Sequence, residues 1–300
     1  MCCKILNRKV NVFMDTERWQ ILCKAIDSGS LRGAAEQMGY TVSGISRSVA
    51  TLEAELGFSL LYRAKTGVKP TAECEKLMPA VRELLFAQES VEQTAARIKG
   101  AEYGTIVIGT AYSCYYRWIS TVTQGFRQKH PGVQFCMVNG SSSQLHDMLM
   151  QHRLDFCIIS AREGGHDWYP LCNDPMMAMV PAAHPLAKQK TVPLKALETE
   201  PFIDTFAGQD NDNARMFERC GIHPNTQYQS MDIDATYAMV AAGLGITTNN
   251  NVNCRAVDSA IRFLPLDPPQ TVEIGLACGK TMPPAGEAFL QYILPQLPKE

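Results

Sequence analysis

The sequence predicts an α/β protein that carries a small, all-α region near its N-terminus. Two helical patterns follow each other from Ser30 to Gly57, whereas short apolar strands alternate with helices from Thr105 onwards. With 300 residues, of which 46% are hydrophobic, the chain is long enough for two or three domains with buried cores.

Two helices separated by a tight corner are predicted between Ser30 and Gly57. Ser30 is suited to cap the first helix, Gly39 to end it, and the second helix begins behind Thr41. An apolar stripe on the second helix is formed by Ile45, Val49, Leu52 and Leu56. This arrangement is typical of a helix-turn-helix; an ordinary helical hairpin with a solvated polar face is the alternative.

The other face of the second helix is short, polar and basic, which suits contact with the DNA major groove. Two predicted strands follow, and three cations on and beside their turn predict a basic wing that adds phosphate contacts. A solvated charged loop is the alternative. The predicted DNA-binding residues are Ser30, Thr41, Val42, Ser43, Ser46, Arg47, Arg63, Lys65 and Lys69.

Three short motifs mark this region: Ala34-Ala35 in the first helix, Leu-Glu-Ala-Glu-Leu-Gly at residues 52–57, and Thr71 before the next helix. With them, residues 14–79 resemble the winged helix-turn-helix of LysR-type transcriptional regulators. The resemblance implies double-stranded DNA as a partner. Val42 stands where the family often has a base-reading Gln, and Val42 cannot make that amide contact to adenine. The operator sequence is therefore not implied.

The charge is unevenly distributed along the chain, which has a net charge of −2. Residues 1–100 hold 14 Lys and Arg against 11 Asp and Glu, a net charge of +3, and the remaining residues carry −5. Positive charge therefore coincides with the predicted helix-turn-helix, although +3 is modest for a DNA-binding region.

The 11 cysteines show no spacing typical of a zinc site or of a secreted disulfide framework. We expect most of them to be reduced and buried, with a redox pair as the alternative. No metal and no cofactor are predicted. The sequence shows neither a signal peptide nor a membrane-spanning apolar run, which predicts a cytoplasmic protein without membrane contact.

A polar helix is predicted from Thr71 to about Ile98, with a kink or a late start at Pro79. One of its faces alternates by four and three residues, the spacing with which a helix packs against an identical partner. Packing on its own domain is the alternative. The predicted dimerisation residues are Leu77, Val81, Leu84, Gln88, Val91, Ala95 and Ile98.

From residue 100 onwards, alternating strands and helices predict a parallel sheet and then a second unit that begins near Met176. Two α/β lobes imply a cleft, in which ligands collect at strand ends and helix N-termini. The predicted strands and helices of the first unit span residues 105–109, 115–128, 133–138, 144–152 and 155–160. Those of the second include residues 201–203, 215–219, 227–230 and 235–242.

His184-Pro185-Leu186-Ala187, Pro201-Phe202-Ile203 and Ala242 to Ile246 occur in the order found in LysR-type effector domains, which are similar to periplasmic binding proteins. Residues 247–251, Thr-Thr-Asn-Asn-Asn, depart from the family's apolar continuation. The resemblance implies a two-lobed effector domain in which a small-molecule effector contacts Tyr112, Ser113, Ser141, Ser142, Ser143, Thr205 and Phe206. For each serine, simple helix capping is the alternative.

The expected organisation is an extension at 1–13, with Met14 as an alternative start, a winged helix-turn-helix at 14–70, a linker helix at 71–99 and an effector domain at 100–300. Together these predict an effector-modulated transcriptional regulator that forms a homodimer, then a dimer of dimers, and acts on RNA polymerase. No catalytic motif occurs, so no enzyme is predicted. The alternative is a cytosolic small-molecule binding protein whose helix-turn-helix does not bind DNA.

Overall fold

The computed structural model describes residues 15–64, 67–100, 102–254 and 259–298. These residues form two compact units with the division between residues 95 and 96. The expected extension at residues 1–13, Met14 and Lys65 lie outside the described residues.

Three packed helices, a two-stranded wing and a long helix make up the N-terminal unit. The helices begin and end at local signals: Ser30 Oγ accepts hydrogen bonds from the N–H groups of Arg32 and Gly33, and Gly39 and Gly57 adopt the left-handed conformation. The elements are α1 (Thr16–Asp27), α2 (Leu31–Met38), α3 (Val42–Leu56), β1 (Leu61–Ala64), β2 (Gly67–Pro70) and α4 (Ala72–Ile98).

The predicted apolar stripe of α3 faces the core of this unit. Ile45, Val49 and Leu52 are completely buried, and they belong to one cluster with Trp19 and Leu22 of α1. Burial of each such aliphatic side chain contributes about 1.5–3 kcal/mol, so this contact fixes the orientation of α3. The polar face of α3 is consequently directed away from the core.

The wing is an antiparallel pair of strands that packs against the turn between α1 and α2. The Val68 N–H donates a hydrogen bond to the Gly29 carbonyl at 2.8 Å, and Gly67 has a φ of +131°. A Cβ at Gly67 would lie 2.3 Å from the same carbonyl oxygen, so only glycine allows this close approach. The wing is therefore fixed to the helices at its second strand.

Helix α4 differs from the prediction at two points. It begins at Ala72, where Thr71 Oγ1 accepts a hydrogen bond from the Cys74 N–H, and it runs continuously through Pro79, so the late start is wrong. Val81 is buried in the core of the N-terminal unit and Leu77 packs against that core. These two residues face their own unit, and the part of the predicted stripe that is open to a partner helix begins at Leu84.

The first lobe of the second unit contains the predicted βαβ alternation. Strand β3 lies between β4 and β5 and is parallel to both, as expected from the connecting helices. The elements are β3 (Gly104–Thr110), α5 (Tyr116–Lys129), β4 (Val133–Asn139), α6 (Ser142–Met150) and β5 (Phe156–Ser160).

The remaining elements complete the first lobe and form the second. They are β6 (His166–Pro181), β7 (Val192–Pro193), α7 (Ala196–Thr199), β8 (Phe202–Thr205), α8 (Asp212–Cys220), β9 (Thr226–Ser230), α9 (Ile233–Ala241), β10 (Thr247–Asn250), β11 (Ile261–Asp267), β12 (Thr271–Gly279) and α10 (Pro284–Ile293).

Strand β6 connects the two lobes. Its first part pairs with β12, and its last residues, 176–181, pair with β10 and β11, in every case antiparallel. Strand β12 is also antiparallel to β5. The prediction of a parallel sheet is therefore correct for β3, β4 and β5 and wrong for the sheet as a whole, because two long strands run back through it.

Candidate functional site

The N-terminal end of α3 presents the polar face that the sequence indicates. Thr41 Oγ1 accepts a hydrogen bond from the Gly44 N–H and lies 3.1 Å from Ser43 Oγ. Val42 and Arg47 are exposed, and the Arg47 side chain has no hydrogen bond or ion pair with any described residue. This surface therefore combines a helix N-terminus, two small hydroxyl groups and an uncommitted cation.

Three other predicted contacts already have partners within the unit. Arg63 Nη1 donates a hydrogen bond to Ser46 Oγ at 3.0 Å, and its Nη2 lies 3.6 Å from Glu53. Glu53 Oε1 accepts hydrogen bonds from the N–H groups of Leu60 and Leu61, so this cluster connects α3 to the start of β1. Ser30 caps α2 with its hydroxyl. Lys69 is exposed on β2.

A cavity of about 580 Å³ lies between the two lobes of the second unit, a size suited to a small metabolite. Its walls are the ends of β3 and β4 and the start of α6 in the first lobe, and the loop after β8, the starts of α8 and α9 and strand β10 in the second. Six of the seven predicted effector residues line it: Tyr112, Ser113, Ser141, Ser142, Thr205 and Phe206.

Ser143 does not line the cavity with the six others. It is the second residue of α6, and the helix turns its side chain away towards Asp210 and Arg162. Ser143 Oγ donates to Asp210 at 2.8 Å and accepts from Arg162 Nε at 3.2 Å. The prediction for this residue is therefore wrong as to its location.

The serine hydroxyls at the start of α6 divide their roles. Ser141 is the N-cap and forms a capping box with Gln144, whereas Ser142 Oγ accepts a hydrogen bond from the Ser160 N–H of β5 at 3.0 Å. Capping is therefore the role of Ser141.

On the opposite wall of the cavity, Thr205 Oγ1 is 2.9 Å from Thr236 Oγ1, and Phe206 has a strained φ of +59°.

A largely buried carboxylate joins the lobes beside the cavity. Asp212 of α8 accepts hydrogen bonds from the Tyr112 hydroxyl at 2.8 Å and from Ser160 Oγ, and its Oδ1 lies 3.8 Å from Arg162 Nη2. Burial raises the pKa of Tyr112, so its hydroxyl keeps its proton and donates. We call Tyr112, Ser160, Arg162 and Asp212 the interlobe cluster.

Sequence reasoning missed all eight of the amide side chains among the described residues that line the cavity. Strand β10 contributes residues that the sequence marks only as a departure from the family, and α8 begins with an Asn-Asp-Asn run. These runs of Asn are the signal that could have located them. The missed amides are Asn139, Gln144, Gln209, Asn211, Asn213, Asn249, Asn250 and Asn253.

Two absences concern the described residues alone. Within the ranges that the structure describes, no three or more His, Cys, Asp or Glu side chains are placed to hold a metal ion. None of the helices in those ranges is both long and apolar enough to cross a membrane.

Two family models match the chain and together cover most of its length. Residues 16–75 match the model of the bacterial regulatory helix-turn-helix protein, lysR family. Residues 99–298 match the model of the LysR substrate binding domain, which alone spans more than half of the chain.

Individual relatives agree with these matches. The transcriptional regulator YvbU of Bacillus subtilis, itself described as uncharacterized, is 27% identical over 234 residues, which cover 78% of this chain and 80% of YvbU. Full-length OxyR from Pseudomonas aeruginosa has a similar structure, with a TM-score of 0.67 and 20% identity over 93% of each chain. CbnR in complex with its target DNA has a TM-score of 0.58 and 18% identity over 93% of this chain and 99% of CbnR.

Proposed function

Because the chain belongs to the LysR family of DNA-binding transcriptional regulators with an effector-binding domain, we propose that α3 reads the operator and that the wing anchors it. The observation that carries this assignment is the exposed, uncommitted Arg47 beside the capped N-terminus of α3. Thr41, Val42 and Ser43 accompany it on the reading face. Val42 suits contact with a thymine methyl group.

Lys69, Arg63 and Lys65 are proposed to contact phosphates. Such contacts hold the reading helix in register and carry no sequence information. Arg63 and Ser46 support the surface through their mutual hydrogen bond, which keeps the wing beside α3. Ser30 acts at the same surface through the cap that it supplies to α2.

The reading and anchoring roles are separable by two substitutions. We expect Arg47→Ala to weaken operator binding by about 1–3 kcal/mol and to reduce the preference for operator over unrelated DNA. Lys69→Ala should weaken binding to both DNAs nearly equally and make the salt dependence shallower by about one unit. Fluorescence anisotropy with an operator selected from random DNA measures both quantities.

Lys24→Ala, on a basic residue of the last turn of α1, is the control for a general loss of positive charge. An Arg47→Ala protein with unchanged operator affinity and unchanged preference would contradict the assignment of α3.

The cavity between the lobes is the proposed effector site. Six predicted residues surround it, and the interlobe cluster beside it connects the two lobes. A ligand that contacts both lobes favours one relative arrangement of them, and through a population shift it changes the spacing of recognition helices in the oligomer. The protein itself is proposed to have no enzymatic activity and to act in the cytoplasm.

Helix α4 is the proposed dimer contact. Leu84, Val91 and Ile98 are exposed on one face at helical spacing, and Gln88 and Ala95 lie between them. Exposed apolar side chains in such a row are typical of a helix that packs on a second copy.

Two dimers are proposed to form a dimer of dimers on DNA, and RNA polymerase is the proposed downstream partner. Residues 14–70, 71–99 and 100–300 are the proposed domains.

A further inference from the structure

A short loop between β8 and α8 forms part of the wall of the cavity between the lobes, and we call its residues 207–210 the strap. Gln209 lines this cavity, whereas Asp210 lines a neighbouring cavity of about 710 Å³. At the start of α6, Ser142 and Ser143 line the same two cavities in the same way. The strap and the start of α6 therefore form a wall, one residue thick, that separates the two cavities.

Both ends of the strap are anchored in the second lobe. The Phe206 N–H donates a hydrogen bond to the Ser230 carbonyl at 2.7 Å. Asn211 Nδ2 donates to the carbonyl oxygens of Thr205 and Phe206, each at 3.3 Å, while Asn211 Oδ1 caps α8 through the Ala214 N–H. The base of the loop is thereby closed, and motion is restricted to the strap itself.

The tip of the strap is joined to the first lobe by a hydrogen bond that costs little to break. Ser143 Oγ donates to Asp210 at 2.8 Å, and the Asp210 side chain is 50% exposed. When this bond is released, Asp210 keeps its two hydrogen bonds from Arg215 of its own lobe, and Ser143 keeps the bond from Arg162 Nε. Neither group is left buried without a partner, which is the expensive outcome for a broken hydrogen bond.

The contact two residues later is of the opposite kind. Asp212 accepts hydrogen bonds from Tyr112 and Ser160, and it lies 3.8 Å from the guanidinium of Arg162, whose side chain is 5% exposed. Separation there would leave a buried cation without its carboxylate. The lobes are thus joined by a weak contact at Asp210 and a strong one at Asp212, so the weak contact opens at a lower cost than the strong one.

We propose that the strap is a gate between the two cavities, which opens by release of Asp210 from Ser143 while the interlobe cluster stays closed. Release withdraws Gln209 from the wall and joins the cavities, so a small molecule enters without separation of the lobes. The purpose of the gate, entry of an effector, rests on the proposed function of the cavity. The motion itself does not, and its test therefore needs no ligand.

Hydrogen exchange of the full-length protein, followed by mass spectrometry of its peptides, measures this motion. The Gln209 N–H, which bonds the Phe206 carbonyl at 3.1 Å, reports on the strap, and the Ser160 N–H, which bonds Ser142 Oγ at 3.0 Å, reports on the interlobe cluster. We expect Ser143→Ala to speed exchange of the Gln209 peptide by about threefold or more, as the loss of one hydrogen bond predicts, and to leave the Ser160 peptide unchanged.

Asp210→Ala is the second variant, because it removes the same contact and keeps the bond between Ser143 and Arg162. We expect the same result from it, and it decides the test if Ser143→Ala does not fold. Arg215→Ala is the matched control: it removes the other partner of Asp210 and keeps the contact with Ser143, so its strap should exchange as in wild type.

Three results would overturn the proposal. Unchanged exchange of the Gln209 peptide in a folded Ser143→Ala or Asp210→Ala protein would mean that this contact does not hold the strap. An equal rise in the Ser160 peptide would mean that the lobes separate as a whole. An equal rise in Arg215→Ala would mean that the strap is held within its own lobe. A selective rise in both variants supports the gate, and a loss of effector response alone bears on the effector role of the cavity.

Discussion

Replacement of Asp212 by Ala is expected to destabilise the second unit by about 3–5 kcal/mol, because it leaves a buried cation without its carboxylate. Arg162 is 5% exposed, and Asp212 is the carboxylate within 4 Å of its guanidinium among the described residues. The Tyr112 hydroxyl and Ser160 Oγ lose their acceptor at the same time. Urea unfolding of the full-length protein, followed by the tryptophan fluorescence of the second unit, measures the change.

Asp210→Ala is the matched control for Asp212→Ala. Asp210 lies two residues earlier. It pairs with Arg215, which lowers the pKa of Asp210 to about 2, and accepts a hydrogen bond from Ser143, but its side chain is 50% exposed. An exposed ion pair contributes about 0–1 kcal/mol, so we expect this variant to unfold nearly as wild type does. Equal losses of stability in the two variants would contradict the role of the interlobe cluster.

The double substitution Leu84→Asp with Val91→Asp is expected to convert the protein to monomers. Both side chains are exposed on the same face of α4, so two charges on each helix would be brought against two on its partner without disturbing the core of the unit. Sedimentation velocity at several protein concentrations measures the change in mass.

Ser90→Asp controls for this loss of assembly. It adds a negative charge to α4 at a position away from the row of Leu84 and Val91, and we expect it to assemble as wild type does. If the double variant stays dimeric, α4 is not the dimer contact. If Ser90→Asp also gives monomers, the effect of the charges does not depend on the proposed face.

The helix-turn-helix was predictable because its signals are local. Ser30, Gly39, Thr41 and Gly57 begin or end a helix by contacts within a few residues of themselves, and each of them does so in the structure. The apolar stripe of α3 similarly depends on the helical repeat alone. For such elements the sequence contains nearly all of the necessary information.

Strands β6 and β10 illustrate the opposite case. Strand β6 contains Pro170 and Pro175, and β10 reads Thr-Thr-Asn-Asn, so neither has a composition typical of a buried strand. Both are strands because of their pairing: β10 pairs with β6, and β6 pairs in addition with β11 and β12, which are distant from it in sequence. Tertiary pairing overrides local propensity here, and the amide wall of the cavity was missed with β10.

The assignments of Leu77, Val81 and Ser143 failed because a pattern does not identify its partner. The spacing of Val81 fits an apolar stripe on α4. The first part of this stripe is buried in the core of its own unit, and the part from Leu84 onwards is exposed. Ser143 adjoins two residues that line the cavity, yet successive helical residues point in different directions, and its hydroxyl bonds Asp210 instead. The three-dimensional environment decides in both cases.

Binding of DNA through α3 and the wing is tested most directly by the affinity of the full-length wild-type protein for selected operator DNA, measured from 50 to 300 mM salt. If the protein binds through α3 and a basic wing, the logarithm of its affinity should fall linearly with the logarithm of the salt concentration, with a slope of about 0.9 for each phosphate contact. On the same operator, the slope should be steeper for wild type than for Lys69→Ala. Absence of measurable DNA binding even at the lowest salt would contradict the account and would favour a ligand-binding protein that does not bind DNA.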